Sequence, residues 1–168
     1  MVRKENQLYF NTPVFEEEGY IGEEYTCDGY ERSPPFFIGN IPTGTKSFVL
    51  LMDDLDAEDT EEGERRNQWV VWNIPVVDEI EESSLPDGSV VGVNDYGENS
   101  YSGPCPHSGE HRYEFRLYAI DRELDLEEDC SKKDVLDEIE DNILAESYVV
   151  CRYKREEYSD DEYNTLRN

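Results

Sequence analysis

The chain reads RYEFRLYAI at residues 112–120, where apolar and charged side chains alternate. One face of this stretch would hold its apolar members, Tyr113, Phe115, Leu117 and Ala119. The other face would hold Arg112, Glu114 and Arg116. Because successive side chains of a β-strand point to opposite faces, a period of two predicts a strand with one face buried in a core.

Other short apolar runs predict further strands. The runs SFVLLM at 47–52 and WVVWNI at 69–74 are rich in β-branched and aromatic residues and are bounded by turn residues. Such continuous runs are typical of strands buried on both faces. Residues 89–93 and 148–153 are further strand candidates. Because Pro- and Gly-containing turns separate the runs, the pattern predicts a mainly β sandwich.

One helix is predicted, beginning after Ser131. Ser131 and Asp134 have the spacing of a capping box. An apolar stripe at helical spacing follows, formed by Val135, Leu136, Ile139 and Ile143. This stripe predicts a helix that continues to about Glu146.

Acidic residues dominate the composition. The 168 residues include 42 Asp and Glu against 15 Lys and Arg, a formal net charge of −27. The chain has no basic stripe that could neutralise the phosphates of a nucleic-acid backbone, which argues against binding of nucleic acid. An anionic membrane surface would also repel such an acidic chain. No apolar run approaches the length of a membrane span, and residues 1–6 lead into no apolar signal core. We therefore expect no stable membrane insertion and a cytoplasmic location.

The acidic residues are concentrated between the apolar runs. From Asp53 to Glu64 eight of twelve residues are acidic, whereas the apolar runs are nearly free of acid. Repulsion between like charges destabilises a fold in dilute salt, and concentrated salt screens that repulsion. We hypothesise adaptation to a high-salt cytoplasm. The alternative is an acidic protein of ordinary salt conditions that has a cationic partner.

The four cysteines, Cys27, Cys105, Cys130 and Cys151, show no CxxC spacing and no dense framework. In the expected cytoplasm they are predicted to be reduced thiols. A zinc site formed by Cys105, His107 and His111, with Cys27 as a fourth ligand, is an alternative. Its spacing matches no standard zinc motif, so we predict no metal.

Residues 101–113, YSGPCPHSGEHRY, contain both histidines of the chain in a Gly- and Pro-rich loop just before the alternating strand. An imidazole beside exposed backbone N–H groups suits a small polar or anionic ligand. The alternative is a structural turn in which His111 only bonds its neighbours.

Asp54 follows the buried run at 47–52. If Asp54 lies beside His111, the two side chains form a charge-coupled pocket, and otherwise this acidic stretch is a solvated loop. A triad of a nearby serine with His111 and Asp54 lacks the GxSxG elbow, so we expect no enzyme.

Five blocks of the chain occur in a recognisable order. They are YTCDGYERSPP (25–35), IPTGTKSFVLLMDDLDA (41–57), WVVWNIP (69–75), YSGPCPHSGEHRYEFRLYAID (101–121) and ILAESYVVCRYKR (143–155). Together they resemble the phosphatidylethanolamine-binding protein family, which includes Raf kinase inhibitor protein, and specifically its bacterial and archaeal branch.

The resemblance implies a β-sandwich with a large central antiparallel sheet, a smaller sheet and few helices. The composition predicts one folded domain, which the matching blocks place in residues 1–155, and residues 156–168, which lack apolar periodicity, are predicted to be an acidic polar tail. A small cavity at one end of the sheet would bind phosphate-like anions or phosphorylated head groups. Matched motif by motif, the ligand-binding positions are Asp54, Ala57, Gln68, Gly103, Pro104, His111 and Tyr113. Asp56 and Arg112 match structural positions that we expect to pair with each other.

The chain departs from the family pattern at several positions. Gln68 stands where a histidine is usual, and glutamine cannot become cationic. Anion binding should therefore be weak, and it should strengthen as His111 protonates below about pH 6.5 and after a Gln68→His substitution. Leu55 and Glu58 replace prolines, and Glu58 adds a negative charge near the rim. His107 stands where a second proline is common and adds a donor.

We therefore expect a non-enzymatic protein without a cofactor that binds a small anionic or polar ligand. The alternative is a protein-interaction module of the kinase- or protease-inhibitor type, which acts through its surface. The resemblance to prokaryotic relatives suggests a homodimer, and the sequence identifies no protein partner.

Overall fold

The computed structural model describes residues 7–58, 60, 61 and 64–155, and in them it contains eight β-strands and one α-helix. The strands are β1 (Tyr9–Asn11), β2 (Phe36–Gly39), β3 (Ser47–Asp54), β4 (Arg66–Ile74), β5 (Glu79–Ile80), β6 (Val90–Val91), β7 (Glu110–Ile120) and β8 (Ile143–Lys154). The helix is α1 (Lys132–Ile139), and a 3-10 turn spans Glu23–Tyr25. The predicted tail, 156–168, lies outside the described residues.

The strands form two antiparallel sheets. The larger sheet has five strands in the order β6-β4-β3-β7-β8, and the smaller sheet has three in the order β1-β2-β5. This architecture confirms the predicted sandwich of a large antiparallel sheet and a smaller one with few helices. The two runs predicted to be buried on both faces became β3, which lies in the middle of the large sheet, and its neighbour β4.

One face of the large sheet packs against the small sheet. The ring of Phe36 lies 4.8 Å from that of Phe10 and 5.2 Å from that of Phe115, measured between centroids. Phe36, Phe48 and Phe115 are completely buried. Burial of such large apolar side chains is the main contribution that holds the two sheets together.

The alternating stretch is buried on more than one face. Its predicted apolar face is confirmed, because the core contains Tyr113, Phe115, Leu117 and Ala119. The opposite face is also covered, since Tyr118 and Ile120 pack with α1. Glu114 is only 5 % exposed, and it accepts a hydrogen bond of 2.8 Å from Arg116. The charged side chains of this face are therefore paired within the protein rather than fully solvated.

The predicted helix is correct at its start and wrong at its end. The backbone N–H of Ser131 donates to Asp134 in the expected capping box, but α1 ends at Ile139 instead of about Glu146. Ile143 begins β8 and pairs with Ile120 of β7. Pairing along the long β7 strand outweighs the local helical period there. The described part of the chain has no helix with the length and apolarity that a bilayer crossing requires.

The prediction of four reduced thiols is wrong for two of them. Cys27 and Cys105 form a disulfide, with their Cα atoms 5.5 Å apart, whereas Cys130 and Cys151 are free. The two bonded residues are 78 positions apart in the chain. Spacing therefore could not pair them, because only the tertiary fold brings the two loops together.

Candidate functional site

The candidate site lies where β3 ends beside the start of β7. In the antiparallel register Asp54 is directly opposite Tyr113, so His111 is the next residue of β7 on the same face. The imidazole Nδ1 of His111 lies 2.8 Å from the Asp54 carboxylate. Both side chains are buried, with 6 % and 4 % of their residue surfaces exposed. Asp54 therefore lies beside His111, as the sequence analysis considered.

The second ring nitrogen of His111 has a different environment. The Asp54 carboxylate accepts a hydrogen bond from Nδ1–H, so in the neutral ring the proton is on Nδ1 and Nε2 carries a lone pair. Nε2 becomes a hydrogen-bond donor when the ring is protonated. In the described chain Nε2 is buried and has no hydrogen-bond partner. The carboxylate of Glu58 approaches it to 3.9 Å. Nε2 is therefore free to bond a ligand.

Tyr113 lies beside this imidazole. Its ring stacks on that of His111 with a centroid distance of 6.4 Å. Its hydroxyl is buried and makes no hydrogen bond of good geometry in the described chain, although the backbone amide of Cys105 faces it. Burial, assisted by the Asp54 carboxylate, raises the pKa of Tyr113. The hydroxyl therefore keeps its proton.

A cavity of about 250 Å³ opens at the Asp54–His111 pair. Its lining residues are Asp54, Glu58, Arg66, Cys105, Pro106, His107 and His111. Arg66 is present because β4 pairs with β3 such that Arg66 is opposite Asp54. Its guanidinium also lies over the ring of Tyr96, 5.4 Å from the centroid. A second cavity of about 490 Å³ adjoins the first and shares Glu58 and His111 with it.

A larger cavity, about 800 Å³, lies elsewhere. The described residues that form it are 7–17, Asn40 and 147–149, and they include no histidine and no arginine. We therefore place the candidate site by its donors and charges rather than by cavity size.

Asp56 and Arg112 form the expected pair, and both line the adjoining cavity. Two guanidinium nitrogens of Arg112 donate to the Asp56 carboxylate at 2.9 and 3.1 Å, and the Arg112 backbone N–H donates to it at 2.8 Å. The backbone N–H of Asp56 donates in turn to Asp54 at 2.9 Å. These bonds tie the loop after β3 to β7 and orient Asp54.

Gln68 has a structural position. It is the extra residue of a β-bulge, because Trp69 pairs with Met52 while Asn67 pairs with Asp53. Its amide nitrogen donates to the carbonyls of Ser102 and Gly103, at 2.9 and 3.2 Å, and its oxygen accepts from a tyrosine hydroxyl. Among the described residues, Gln68 is outside the set that lines the His111 cavity.

The remaining predicted residues surround the cavity without lining it. Gly103 and Pro104 are buried behind the rim. A Cβ atom on Gly103 would lie 2.5 Å from the carbonyl oxygen of Tyr25, so only glycine fits this close approach. Ala57 lines a neighbouring cavity of about 370 Å³ together with Glu58. Of the predicted set, Asp54 and His111 line the cavity, and Tyr113 lies beside His111 outside the cavity lining.

Sequence reasoning missed Arg66 and the rim disulfide. A signal for Arg66 was present, since Arg65 and Arg66 form a cationic pair just before the predicted strand in an acidic segment. An antiparallel hairpin would bring that pair back to the end of β3. The zinc alternative finds no support, because Cys27 and Cys105 are bonded to each other. In the described residues no group of three or more His, Cys, Asp or Glu could hold a metal ion.

Comparison with known proteins places these features in a family. The family model described as phosphatidylethanolamine-binding protein matches residues 11–154. The chain is 43 % identical over 154 residues to a UPF0098 protein of Methanothermobacter thermautotrophicus, a match that covers 88 % of this chain and 99 % of that protein. It is 34 % identical over 142 residues to a UPF0098 protein of Chlamydia trachomatis, covering 81 % and 91 %.

Solved structures agree with these matches. A phosphatidylethanolamine-binding protein homologue from Chlamydia trachomatis superposes with a TM-score of 0.85 at 31 % identity, covering 90 % of this chain and 99 % of the homologue. E. coli YbcL has a TM-score of 0.80 at 24 % identity, covering 89 % and 99 %, and supports the fold alone. Since the family match spans residues 11–154 and the archaeal relative aligns over nearly its whole length, this chain belongs to the phosphatidylethanolamine-binding protein family.

Proposed function

We propose that the His111 cavity binds a small phosphate-like anion, and that the protein acts by binding rather than by catalysis. The observation that supports this most directly is the buried Nε2 of His111, which has no hydrogen-bond partner in the described chain although His111 lines the cavity. Buried polar groups are ordinarily hydrogen-bonded, so an unpartnered ring nitrogen at a cavity supports a ligand there. The name of the family supports a phosphorylated ligand as well.

The charges around the cavity should make anion binding depend on pH. Among the described residues that line the cavity, Asp54 and Glu58 are negative and Arg66 is positive. His107 is exposed at the rim, where its ring can also bond a ligand. With a neutral His111, the two carboxylates of this lining outnumber its one guanidinium. Protonation of the imidazole reverses the role of Nε2 from acceptor to donor, so binding should be weak near neutral pH and stronger in mild acid.

A binding role fits the bonding of His111 better than nucleophilic catalysis. In the described residues no serine hydroxyl is bonded to this imidazole, whose one partner at hydrogen-bond distance is Asp54. Tyr113 retains its proton and is a donor rather than a nucleophile. The side chains therefore provide what ligand binding requires and lack an activated nucleophile.

Calorimetric titration with sulfate tests the proposal. Sulfate keeps its double charge between about pH 5.5 and about pH 7.5, so a change in affinity reports on the protein. We expect roughly tenfold tighter binding at the lower pH and loss of this dependence in His111→Gln. The matched control, His107→Gln, should keep most of it. Equal affinity of the unaltered protein at both pH values would show that His111 does not hold the anion.

A protein-interaction function has one structural feature in its favour. β8 is an outer strand of the large sheet, and Leu144 and Tyr148 on its first half are 41 % and 50 % exposed. Unpaired strand edges and exposed apolar side chains are typical of docking surfaces. A protein partner whose binding survives His111→Gln but is lost in Tyr148→Asp would favour this second function.

The cytoplasmic location and the salt adaptation are parts of the proposal. Disulfides are rare in reducing cytosols, although hyperthermophiles are an exception. The Cys27–Cys105 disulfide is therefore relevant to the cellular location. Alkylation of free thiols in intact cells would measure the fraction of the protein in which this disulfide is formed.

A further inference from the structure

We propose that the Cys27–Cys105 disulfide is a reversible redox site that controls the anion affinity of the His111 cavity. The inference rests on the proposed function and adds its regulation. The reactant that it requires is a dithiol reductant.

The disulfide belongs to the wall of the cavity. Cys105 lines it together with the next two residues, Pro106 and His107. Cys27 lies on a separate loop that follows the 3-10 turn. Both cysteines are half-buried rather than enclosed, so a reductant can reach the bond. Opening the bond would therefore act directly on the surface that meets the ligand.

The loop is secured very unevenly along its length. Before Cys105 it has several bonds to the Cys27 loop: Tyr101 donates to the Tyr25 carbonyl at 2.7 Å, Gly103 donates to Glu31 at 3.2 Å, and Cys27 donates to the Pro104 carbonyl at 3.2 Å. These contacts do not depend on the disulfide, so the first part of the loop should stay in place after reduction.

From Cys105 onward the attachments change. In the described chain residues 105–109 make no hydrogen bond or ion pair of their own, apart from the approach of the Cys105 amide to the Tyr113 hydroxyl. Besides the packing of the buried Pro106, the disulfide is thus the main attachment of this segment until β7 begins at Glu110. Reduction should release the segment that carries Pro106 and His107, and with it the amide that faces Tyr113.

The redox step is ordinary thiol–disulfide exchange. A thiolate of the dithiol attacks one sulfur of the bond, forms a mixed disulfide and expels the other cysteine as a thiolate, which takes up a proton. The second thiol of the reductant then attacks the mixed disulfide, leaving as a cyclic disulfide and freeing the second cysteine. Two electrons and two protons pass from the dithiol to Cys27 and Cys105.

The coupling follows from preorganisation. A wall that is already held in place costs the ligand less ordering on binding, so the oxidised protein should bind the anion more tightly. The effect must be reciprocal, and a bound anion should make the disulfide harder to reduce. We expect a difference in affinity of about five- to tenfold between the two redox states.

The experiment compares sulfate affinities at about pH 5.5 and fixed salt. One sample is kept oxidised, one is reduced with dithiothreitol in mild alkali and freed of reductant under nitrogen, and one is reduced and then reoxidised. Titration of thiols in denaturant should find two of the four cysteines free in the first sample. Reduction should weaken sulfate binding, and reoxidation should restore it.

Variants separate the rim bond from other thiol effects. Cys27→Ser combined with Cys105→Ser should bind like the reduced protein and ignore reductant, whereas Cys130→Ser should still respond. Loss of a native disulfide commonly costs about 2–5 kcal/mol, so the double variant can fail to fold. In that case amide hydrogen exchange of the reduced wild-type protein tests whether reduction loosens the rim segment. We expect faster exchange in residues 105–109 and unchanged exchange in β3.

The outcomes distinguish this inference from the function on which it rests. Equal sulfate affinity in both redox states would overturn redox control while leaving the anion site intact. Unchanged exchange of residues 105–109 after reduction would overturn it as well. Absence of sulfate binding in both states would overturn the anion site, and the inference with it.

Discussion

The imidazole of His111 has two nitrogens in opposite surroundings. Nδ1 is bonded to the buried Asp54 carboxylate, and Nε2 has no hydrogen-bond partner in the described chain. The Glu58 side chain is 66 % exposed and its carboxylate lies 3.9 Å from Nε2. Glu58 is therefore placed to attract the protonated ring, and it would compete with an incoming anion.

Removal of this competitor should strengthen anion binding. We expect Glu58→Gln to bind sulfate about two- to fivefold more tightly at about pH 5.5, a small effect because solvent and salt screen an exposed carboxylate. Calorimetry at low and high ionic strength measures it. The control is Glu61→Gln, which removes an exposed charge from the neighbouring cavity of about 370 Å³ and should change sulfate affinity less. Weaker binding by Glu58→Gln would mean that this residue helps to hold the ligand.

Gln68→His should not act as the family pattern suggests. Gln68 donates to two carbonyls of the rim loop and accepts from Tyr96, and a histidine cannot reproduce all three bonds. Leaving buried groups unpaired costs roughly 1–3 kcal/mol. We expect a lower melting temperature and no gain in sulfate affinity. Tighter binding at unchanged stability would restore the expectation drawn from the sequence.

Among the elements, the loop after β3 depends on its attachment to β7. Asp56 in the loop and Arg112 in the strand form three hydrogen bonds. The side-chain hydrogen bond from Arg112 holds the pKa of Asp56 below its ordinary value of 3.8. Since Asp54 is bonded to the same loop, this attachment also positions the carboxylate that meets His111.

The lowered pKa of Asp56 has a defined consequence for stability. The unfolded chain binds the Asp56 proton at a higher pH than the folded protein does, so the stabilisation is complete above about pH 4 and is lost as the pH falls through the folded value. Asp56→Asn should melt about 1–3 °C below the unaltered protein near pH 7, and the gap should narrow toward pH 3. The control is the exposed Asp87→Asn, for which no gap is expected. A gap that stays constant with pH would contradict the ionic explanation.

In the whole molecule, the Asp and Glu carboxylates far outnumber the Lys and Arg side chains that could pair with them. The charge of −27 remains after every Lys and Arg is counted, and buried carboxylates such as Asp53 and Glu114 already use Lys132 and Arg116. The remaining carboxylates repel one another across the surface. Folding brings these charges closer together than they are in the unfolded chain.

Salt should therefore stabilise the fold. Between about 0.1 M and about 2 M potassium chloride, screening shortens the range of repulsion to a few ångströms, and the melting temperature should rise by roughly 10 °C. Scanning calorimetry measures the rise, and urea melts at the same salt concentrations provide a second measure. A flat melting temperature over this range would contradict salt adaptation.

Much of the fold could be predicted because its signals are local. The apolar runs that became β3 and β4, and the alternation that became β7, are visible within single segments. The capping box at Ser131 is equally local. The end of α1 was missed because Ile143 fits a helical stripe as well as a strand, and pairing with β7 decides between them.

By itself, the sequence determined the strands β3, β4, β6 and β7, part of β8 and the acidic composition, and its motifs nominated Asp54, His111 and Tyr113 as site candidates. Only the tertiary structure decided that Arg66 reaches the cavity, that Gln68 braces the rim loop, and that Cys27 bonds to Cys105. The reason is physical. A hydrophobic period depends on neighbouring residues, whereas these three contacts depend on strand register and on loops that approach one another only after the sheets have packed.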